Sequence, residues 1–275
     1  MYMATCYDFS NGSKHPDYLS GNAAPQLVWD AKGTAKRMHS PYGFDLAENC
    51  LVCQLRSEKF FCNLPAPALK MLDQIKQVTA YPKGAVLFTE GQSPRGVFIL
   101  CRGRVKMSIT SREGKVLILK LAQAGEVLGL NASILNKPYE ATAETLYPCQ
   151  LDFIRRDDFL RFLKEYGDVC LRAAQHVGQN CDSAYDQIRS LGLSHSAPEK
   201  LAKLLLDLSA EGANHKPEKS VKLALTHEEI AQLIGTSRET VTRLFSEFKK
   251  KKVAELKGAT LTIFNRDALG NLVLS

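Results

Sequence analysis

The sequence predicts an α+β chain: a glycine-punctuated β-domain, then one long helix, then a helix-turn-helix with a two-stranded wing. Three observations predict it. From about residue 80 to 155, β-rich runs alternate with turn signals at roughly 8–12 residue spacing, as in an all-β barrel or sandwich. From Arg156 to about Leu191 the texture is helical. Between Leu225 and Lys252, two short amphipathic segments meet at Gly235.

Composition sets the frame. The 275 residues, 45% hydrophobic and 24% charged, suit two domains with extensions and an ordinary core. A net charge of +7 suits a polyanionic partner. No run of about 18 apolar residues exists, so no membrane partner is expected. The start, Met1 to Asp8, has neither a basic nor an apolar signal region, so a cytoplasmic location is expected. There the eight cysteines should be reduced thiols or metal ligands.

Residues 1–45 are rich in Gly, Ser, Asn, Pro and Lys and read as a mobile extension, in which Cys6 has no assigned role. Residues 46–160 read as a cysteine segment plus the β-domain. Cys50, Cys53 and Cys62 stand as C-x2-C-x8-C. The C-x2-C loop points two thiolates at one metal centre, and a third nearby leaves one ligand to find. Zinc and an iron–sulfur cluster both suit such donors. Pro67 to Val78 reads as an amphipathic helix. Strands are expected at Val86–Phe88, Gly96–Leu100, Arg104–Thr110, Val116–Lys120 and Cys149–Ile154.

Residues 161–192 read as a dimerisation helix. Ala173, Val177, Cys181, Ala184, Ile188 and Leu191 form one narrow stripe, as in a helix that pairs with another helix. The alternative is packing on its own β-domain. Cys170 and Cys181 read as small buried residues.

Residues 193–275 read as a DNA-binding domain. A helix opens at Ser196-Ala-Pro-Glu199, where Pro198 suits the first turn. Thr226 with Glu229, and Thr236 with Glu239, have the spacing of capping boxes. Val241, Leu244, Phe245 and Phe248 give the second helix an apolar face. Arg238, Glu239, Thr242 and Arg243, with Thr236 and Ser237 before them, make its polar face. An arginine can grip guanine O6 and N7, and a glutamate can accept from cytosine N4. The same charges could instead be a solvated face with helical ion pairs. Val253 to Phe264 reads as a wing around Lys257-Gly258, with Lys249–Lys252 and Lys257 placed for phosphates.

This order resembles the Crp/Fnr family of bacterial transcription regulators, over about residues 46–270. The most specific marker is Gly235-Thr-Ser-Arg-Glu-Thr-Val-Thr-Arg243. The resemblance implies a β-roll of the cyclic-nucleotide-binding kind, a homodimer on double-stranded DNA and an RNA polymerase partner. It puts the residues that read a palindromic TGTGA-type half-site on Arg238, Glu239 and Arg243. The Fnr branch reads TTGAT and usually has an apolar residue where Arg238 stands, so the DNA side is more Crp-like. The sensor side is not. Gly129-Leu130 and Tyr139-Glu140 occupy the places of the cyclic-nucleotide grip, so a cyclic nucleotide is not expected. Leu146-Tyr-Pro-Cys-Gln-Leu-Asp-Phe153 is similar to the Fnr strand that carries a cluster ligand. The resemblance therefore implies a [4Fe-4S] cluster on Cys50, Cys53, Cys62 and Cys149, with Cys101 competing as the fourth ligand. Zinc, redox thiols, haem or a small effector in the β-roll are the alternatives. No catalytic motif is found, and no enzyme activity is expected.

Overall fold

A computed structural model describes residues 39–275, apart from 48, 54, 59–60, 193–195, 212–219, 224 and 275. Cys6, His195 and His215 lie outside the described residues, as does most of the expected N-terminal extension. Its last part, from His39, is packed. His39 and Asp45 close a short bridge, Phe44 is buried under the Arg102 guanidinium, and Ala47 exchanges two hydrogen bonds with the Gln150 side chain.

The cysteine segment then forms one helical turn, α1 (Leu55–Glu58), and leads into α2 (Ala66–Ile75). Helix was expected as far as Val78, but it ends at Ile75. Lys76 is drawn into a buried ion pair with Asp152, and the β-favouring run Val78-Thr79 pairs as a strand instead.

Two four-stranded antiparallel sheets make the N-terminal β-sandwich. One has the order β1 (Lys76–Tyr81), β8 (Cys149–Arg155), β3 (Gly96–Arg102), β6 (Val127–Leu128). The other has β2 (Val86–Phe88), β7 (Thr142–Thr145), β4 (Arg104–Thr110), β5 (Val116–Gln123). β1, β6 and β7 were not expected. β6 and β7 are only two and four residues long, too short for a period-two pattern to show.

The first sheet is covered on both faces. Phe98, Leu100 and Leu151 point into the sandwich with Val105, Met107 and Ala143 of the second sheet. Val97, Ile99 and Ile154 point outward, under Phe61, Leu69, Leu72, Phe159 and Phe162 of the cysteine segment, α2 and α4 (Arg156–Glu165). A short α3 (Leu130–Leu135) follows Gly129, which has φ +74°. A Cβ at Gly129 would collide with the Tyr139 ring.

Tyr166 separates α4 from the long α5 (Gly167–Gly192), so the expected single helical run is two helices. Only the first half of the expected pairing stripe on α5 packs on its own domain; Cys181, Ala184 and Ile188 are exposed. Val169 and Ala173 are buried in the outer core of the first sheet and Val177 packs against it. Cys181, Ala184 and Ile188 line a cavity over β4 and β5. The side chain of Leu191 lies outside the described residues. Cys170 and Cys181, expected buried, are exposed.

The C-terminal part consists of α6 (Ala197–Glu211), β9 (Ser220–Lys222), α7 (His227–Ile234), α8 (Arg238–Lys250), the wing β10 (Ala254–Lys257) and β11 (Thr260–Ile263), and α9 (Arg266–Leu274). Leu201, Leu205, Ile230, Val241, Leu244, Phe245, Phe248, Leu261 and Leu269 share its core. Leu146 of the β-sandwich belongs to the same core, with Leu121 and Tyr147 packed against it. No described helix is long and apolar enough to cross a membrane.

Candidate functional site

The helix-turn-helix is built by two caps. Thr226 accepts from the Glu229 amide while the Glu229 carboxylate accepts from the Thr226 amide, which closes the expected capping box at the start of α7. Gly235 ends α7 in the left-handed region, at φ 64°, and the Thr236 amide donates back to Ala231. Thr236 is thus spent on the turn. The cap of α8 is Ser237, one residue later than expected, and it accepts from the Thr240 amide.

With α8 starting at Arg238, its apolar face (Val241, Leu244, Phe245, Phe248) is buried. Arg238, Glu239, Thr242 and Arg243 are all exposed, as is Ser237; Thr236 is half-buried. Arg243 makes an exposed pair with Glu247 at 3.4 Å, a contact of the kind expected of a solvated helix face. Lys257 is exposed at the tip of the wing. Lys249, expected to meet phosphates, is tied to Glu255 of β10.

Sequence reasoning missed His227, the first residue of α7. Its ring stacks on Phe245 at 5.2 Å, and its Nδ1 lies 2.9 Å from Thr242 Oγ1. A histidine read in isolation gives no signal of this.

A second site lies where the cysteine segment meets the first sheet. Cys50, Cys53, Cys62 and Cys101 line one pocket with Leu55, Leu69, Leu72, Ile99 and Asp152. Lys76 Nζ is 3.0 Å from Cys50 Sγ, 2.8 Å from Asp73 and 3.2 Å from Asp152. Burial disfavours the Lys76 charge, but Asp152, Cys50 and Asp73 outweigh it and hold Lys76 protonated. Burial pushes the Cys50 and Cys62 thiols up to about 12. Asp152 Oδ1 is buried with no hydrogen-bond partner among the described residues. In this arrangement no three His, Cys, Asp or Glu side chains among the described residues form a ready-made ion site.

Cys149 is not in this pocket. It is fully buried between the sheets, with Sγ 3.1 Å from the Tyr147 carbonyl and 3.4 Å from that of Arg104. A Cβ on Gly103, at φ +97°, would overlap that sulfur. The reason is strand parity: Cys149 and Leu151 point into the sandwich, while Asp152, three residues beyond Cys149, faces the pocket. On β3 it is Cys101 that has the outward parity, with Ile99. Of the two competing fourth positions, the structure brings Cys101 to Cys50, Cys53 and Cys62, and keeps Cys149 away.

The comparisons agree with this architecture. The "Cyclic nucleotide-binding domain" family matches residues 78–166, and the "Crp-like helix-turn-helix domain" family matches residues 199–272. The fumarate and nitrate reduction regulatory protein of Yersinia pestis is 28% identical over 82% of this chain and 90% of its own length. A CRP-like cAMP-activated global transcriptional regulator of Mycobacterium tuberculosis is 23% identical over 76% of this chain and 93% of its own. In fold, the structure of FixK2 from Bradyrhizobium japonicum superposes with a TM-score of 0.64, at 20% identity, over 72% of this chain and 97% of that one.

The chain belongs to the Crp/Fnr family. It is a DNA-binding transcription regulator, not an enzyme.

Within this Crp/Fnr fold, a cavity of 490 Å³ opens between the β-roll and α5. Its walls are largely apolar: Met107, Ile109, Leu117, Leu119, Leu128 and Ile188. The cation on its wall, Lys120, is paired with Glu126 and bonded to Asn180. Tyr139, at the place where the resemblance puts a phosphate-gripping arginine, is buried. It stacks on Phe88 at 4.0 Å and donates to the Gly96 carbonyl.

Proposed function

We propose that this Crp/Fnr regulator binds palindromic DNA as a homodimer, under the control of an iron–sulfur cluster held by Cys50, Cys53, Cys62 and Cys101. The observation that carries the reading is the convergence of these four thiols on one pocket between the N-terminal segment and β3. The donor set fits the group in type. Thiolates are the ligands of [4Fe-4S] clusters, and such a cluster supplies a link that oxygen or oxidants can break. Lys76 is placed to offset thiolate charge, and Leu55, Leu69 and Leu72 give the pocket an apolar wall. Redox thiols without a metal fit less well. The thiolate is the reactive form, and burial holds Cys50 and Cys62 protonated.

On the DNA side, Arg238, Glu239 and Arg243 read base edges of a TGTGA- or TTGAT-like half-site. Thr242, Ser237, Thr236 and Lys257 support them on the backbone. The dimer forms along α5, on a face that keeps Cys181 and Ile188 of the expected stripe and replaces its buried members. Leu171, Ala174, Gly178, Cys181, Tyr185 and Ile188 recur in steps of three and four and are all exposed. Leu171, Tyr185 and Ile188 are 58%, 62% and 64% exposed, large apolar side chains that a partner helix would cover. RNA polymerase is the second macromolecular partner, and the site of action is the cytoplasm.

The test is iron and acid-labile sulfide in anaerobically purified protein. About four irons per chain, lost in Cys101→Ser and retained in Cys149→Ser, is the expected result. One zinc in place of iron, or iron lost only in Cys149→Ser, overturns the cluster assignment. A second reading has an observation of its own: the apolar cavity beside α5 suits an uncharged organic effector. A cyclic nucleotide suits it poorly, because Lys120 is already neutralised and Tyr139 fills the phosphate position.

A further inference from the structure

We propose that His227 is a proton-linked DNA contact, its imidazolium binding a backbone phosphate beside Arg238 and Thr242. The inference rests on α8 presenting its exposed face to DNA.

The hydrogen bonds settle which nitrogen is available. Thr242 Oγ1 donates to the Arg238 carbonyl at 2.9 Å. A hydroxyl has one hydrogen, so toward His227 Nδ1, also 2.9 Å away, the same oxygen must accept. Nδ1 therefore carries a hydrogen in the neutral ring, and a second proton can go only to Nε2. Among the described residues Nε2 has no hydrogen-bond partner. Stacking on Phe245, 12° from parallel, fixes the ring plane. The ring is thus held by α8 at one edge and left open at the other.

The charges around it point the same way. On α8 the charge acting on the ring is Arg238. On its own helix, Glu228 accepts from Gln232, and Glu229 is engaged by the Thr226 cap and by Lys106 of β4. Lys106 itself is shared with Glu144. Burial and Arg238 act on the ring, and no carboxylate among the described residues acts to hold a proton on it. Burial and Arg238 lower the ring below its ordinary range, so the free protein carries it neutral at pH 7.

A phosphate reverses that balance. The first helix of a helix-turn-helix crosses the DNA backbone, and His227 opens that helix. While Thr242 keeps its bond to the Arg238 carbonyl, a phosphate oxygen at Nε2 can accept only from the protonated ring, so the bound state has the higher pKa and binding takes up a proton. Affinity then rises as pH falls from the bound pKa toward the free one. The limit is about tenfold per pH unit for each half-site.

The experiment uses the full chain and two duplexes, one mixed-sequence and one carrying a TGTGA palindrome, at fixed salt from pH 8 to pH 6. The His227 ring is titrated by NMR, free and with each duplex. A raised ring pKa on both duplexes is expected, because a phosphate contact does not depend on sequence. His227→Asn keeps an amide donor for Thr242 but cannot titrate, and its affinity should lose this pH dependence. An unchanged ring pKa on binding, or an unaltered pH dependence in His227→Asn, overturns the proposal while the DNA face of α8 stands. If neither duplex binds at any pH, that face falls, and the proposal with it. The wild-type titration decides the matter even if the variant does not fold.

Discussion

Single residues separate the two faces of the first sheet. Cys101 and Cys149 each lie in a β-strand of the first sheet, yet one reaches the cysteine pocket and the other the sandwich interior. The resemblance to the Fnr strand favoured Cys149. Parity relative to neighbouring strands was not readable until the register was known, because a slip of one residue exchanges the faces. Cys50, Cys53 and Cys62 were legible, since their spacing alone makes a loop. His176 carries a pH prediction at the same scale. It is buried on α5 and donates a ring N–H to the Val127 carbonyl at 3.2 Å. Burial, with Lys120 nearby, lowers its pKa below the ordinary value of about 6.5. Above that value both folded and unfolded chains carry it neutral, and it contributes no pH dependence. As pH falls through 6.5 the unfolded chain takes up the proton first, so stability declines toward the lower folded pKa. Thermal midpoints from pH 8 to pH 5 should drop for wild type, and less for a His176→Gln variant.

At the scale of elements, most of the secondary structure was readable and the helix faces were not. The apolar side of α8 and the caps of α7 follow from spacing, and both are found. The cap of α8 shifted from Thr236 to Ser237 because the Gly235 turn claims the Thr236 amide, a competition that spacing does not reveal. Helix α5 shows the larger ambiguity. It is amphipathic twice over, with Ala173 and Val177 turned to its own domain and Leu171, Tyr185 and Ile188 outward. A stripe read from one sequence cannot say which surface it meets. The outward seam predicts that Leu171→Glu with Tyr185→Glu yields monomers in sedimentation equilibrium, with the fold retained by circular dichroism. A Val177→Glu change should instead destabilise the protomer itself, because Val177 packs on the outer core of the first sheet.

At the scale of the whole molecule, β4 and β5 present two faces, one to the cavity beside α5 and one to the DNA-binding domain. Met107, Ile109, Leu117 and Leu119 line the cavity beside α5. Lys106 and Leu121 turn the other way, onto the DNA-binding domain. Lys106 bridges Glu144 at 3.1 Å and Glu229 at 3.2 Å, with only 17% of its side chain exposed. Glu229 uses its other oxygen to cap α7, so the residue that starts the helix-turn-helix is the one the β-roll grips. Burial disfavours the Lys106 charge, but the two glutamates outweigh it and keep the lysine protonated. A double-mutant cycle with Lys106→Met and Glu229→Gln isolates this link from the cap, since glutamine can still accept from the Thr226 amide. A coupling on the order of 1 kcal/mol is expected for a pair this sheltered but not fully buried. It should appear in denaturant unfolding of the full chain. A coupling indistinguishable from zero would mean that Leu121, Leu146 and Tyr147 hold the domains together by apolar contact alone. In that case α8 would move relative to the β-roll only together with the whole packed surface.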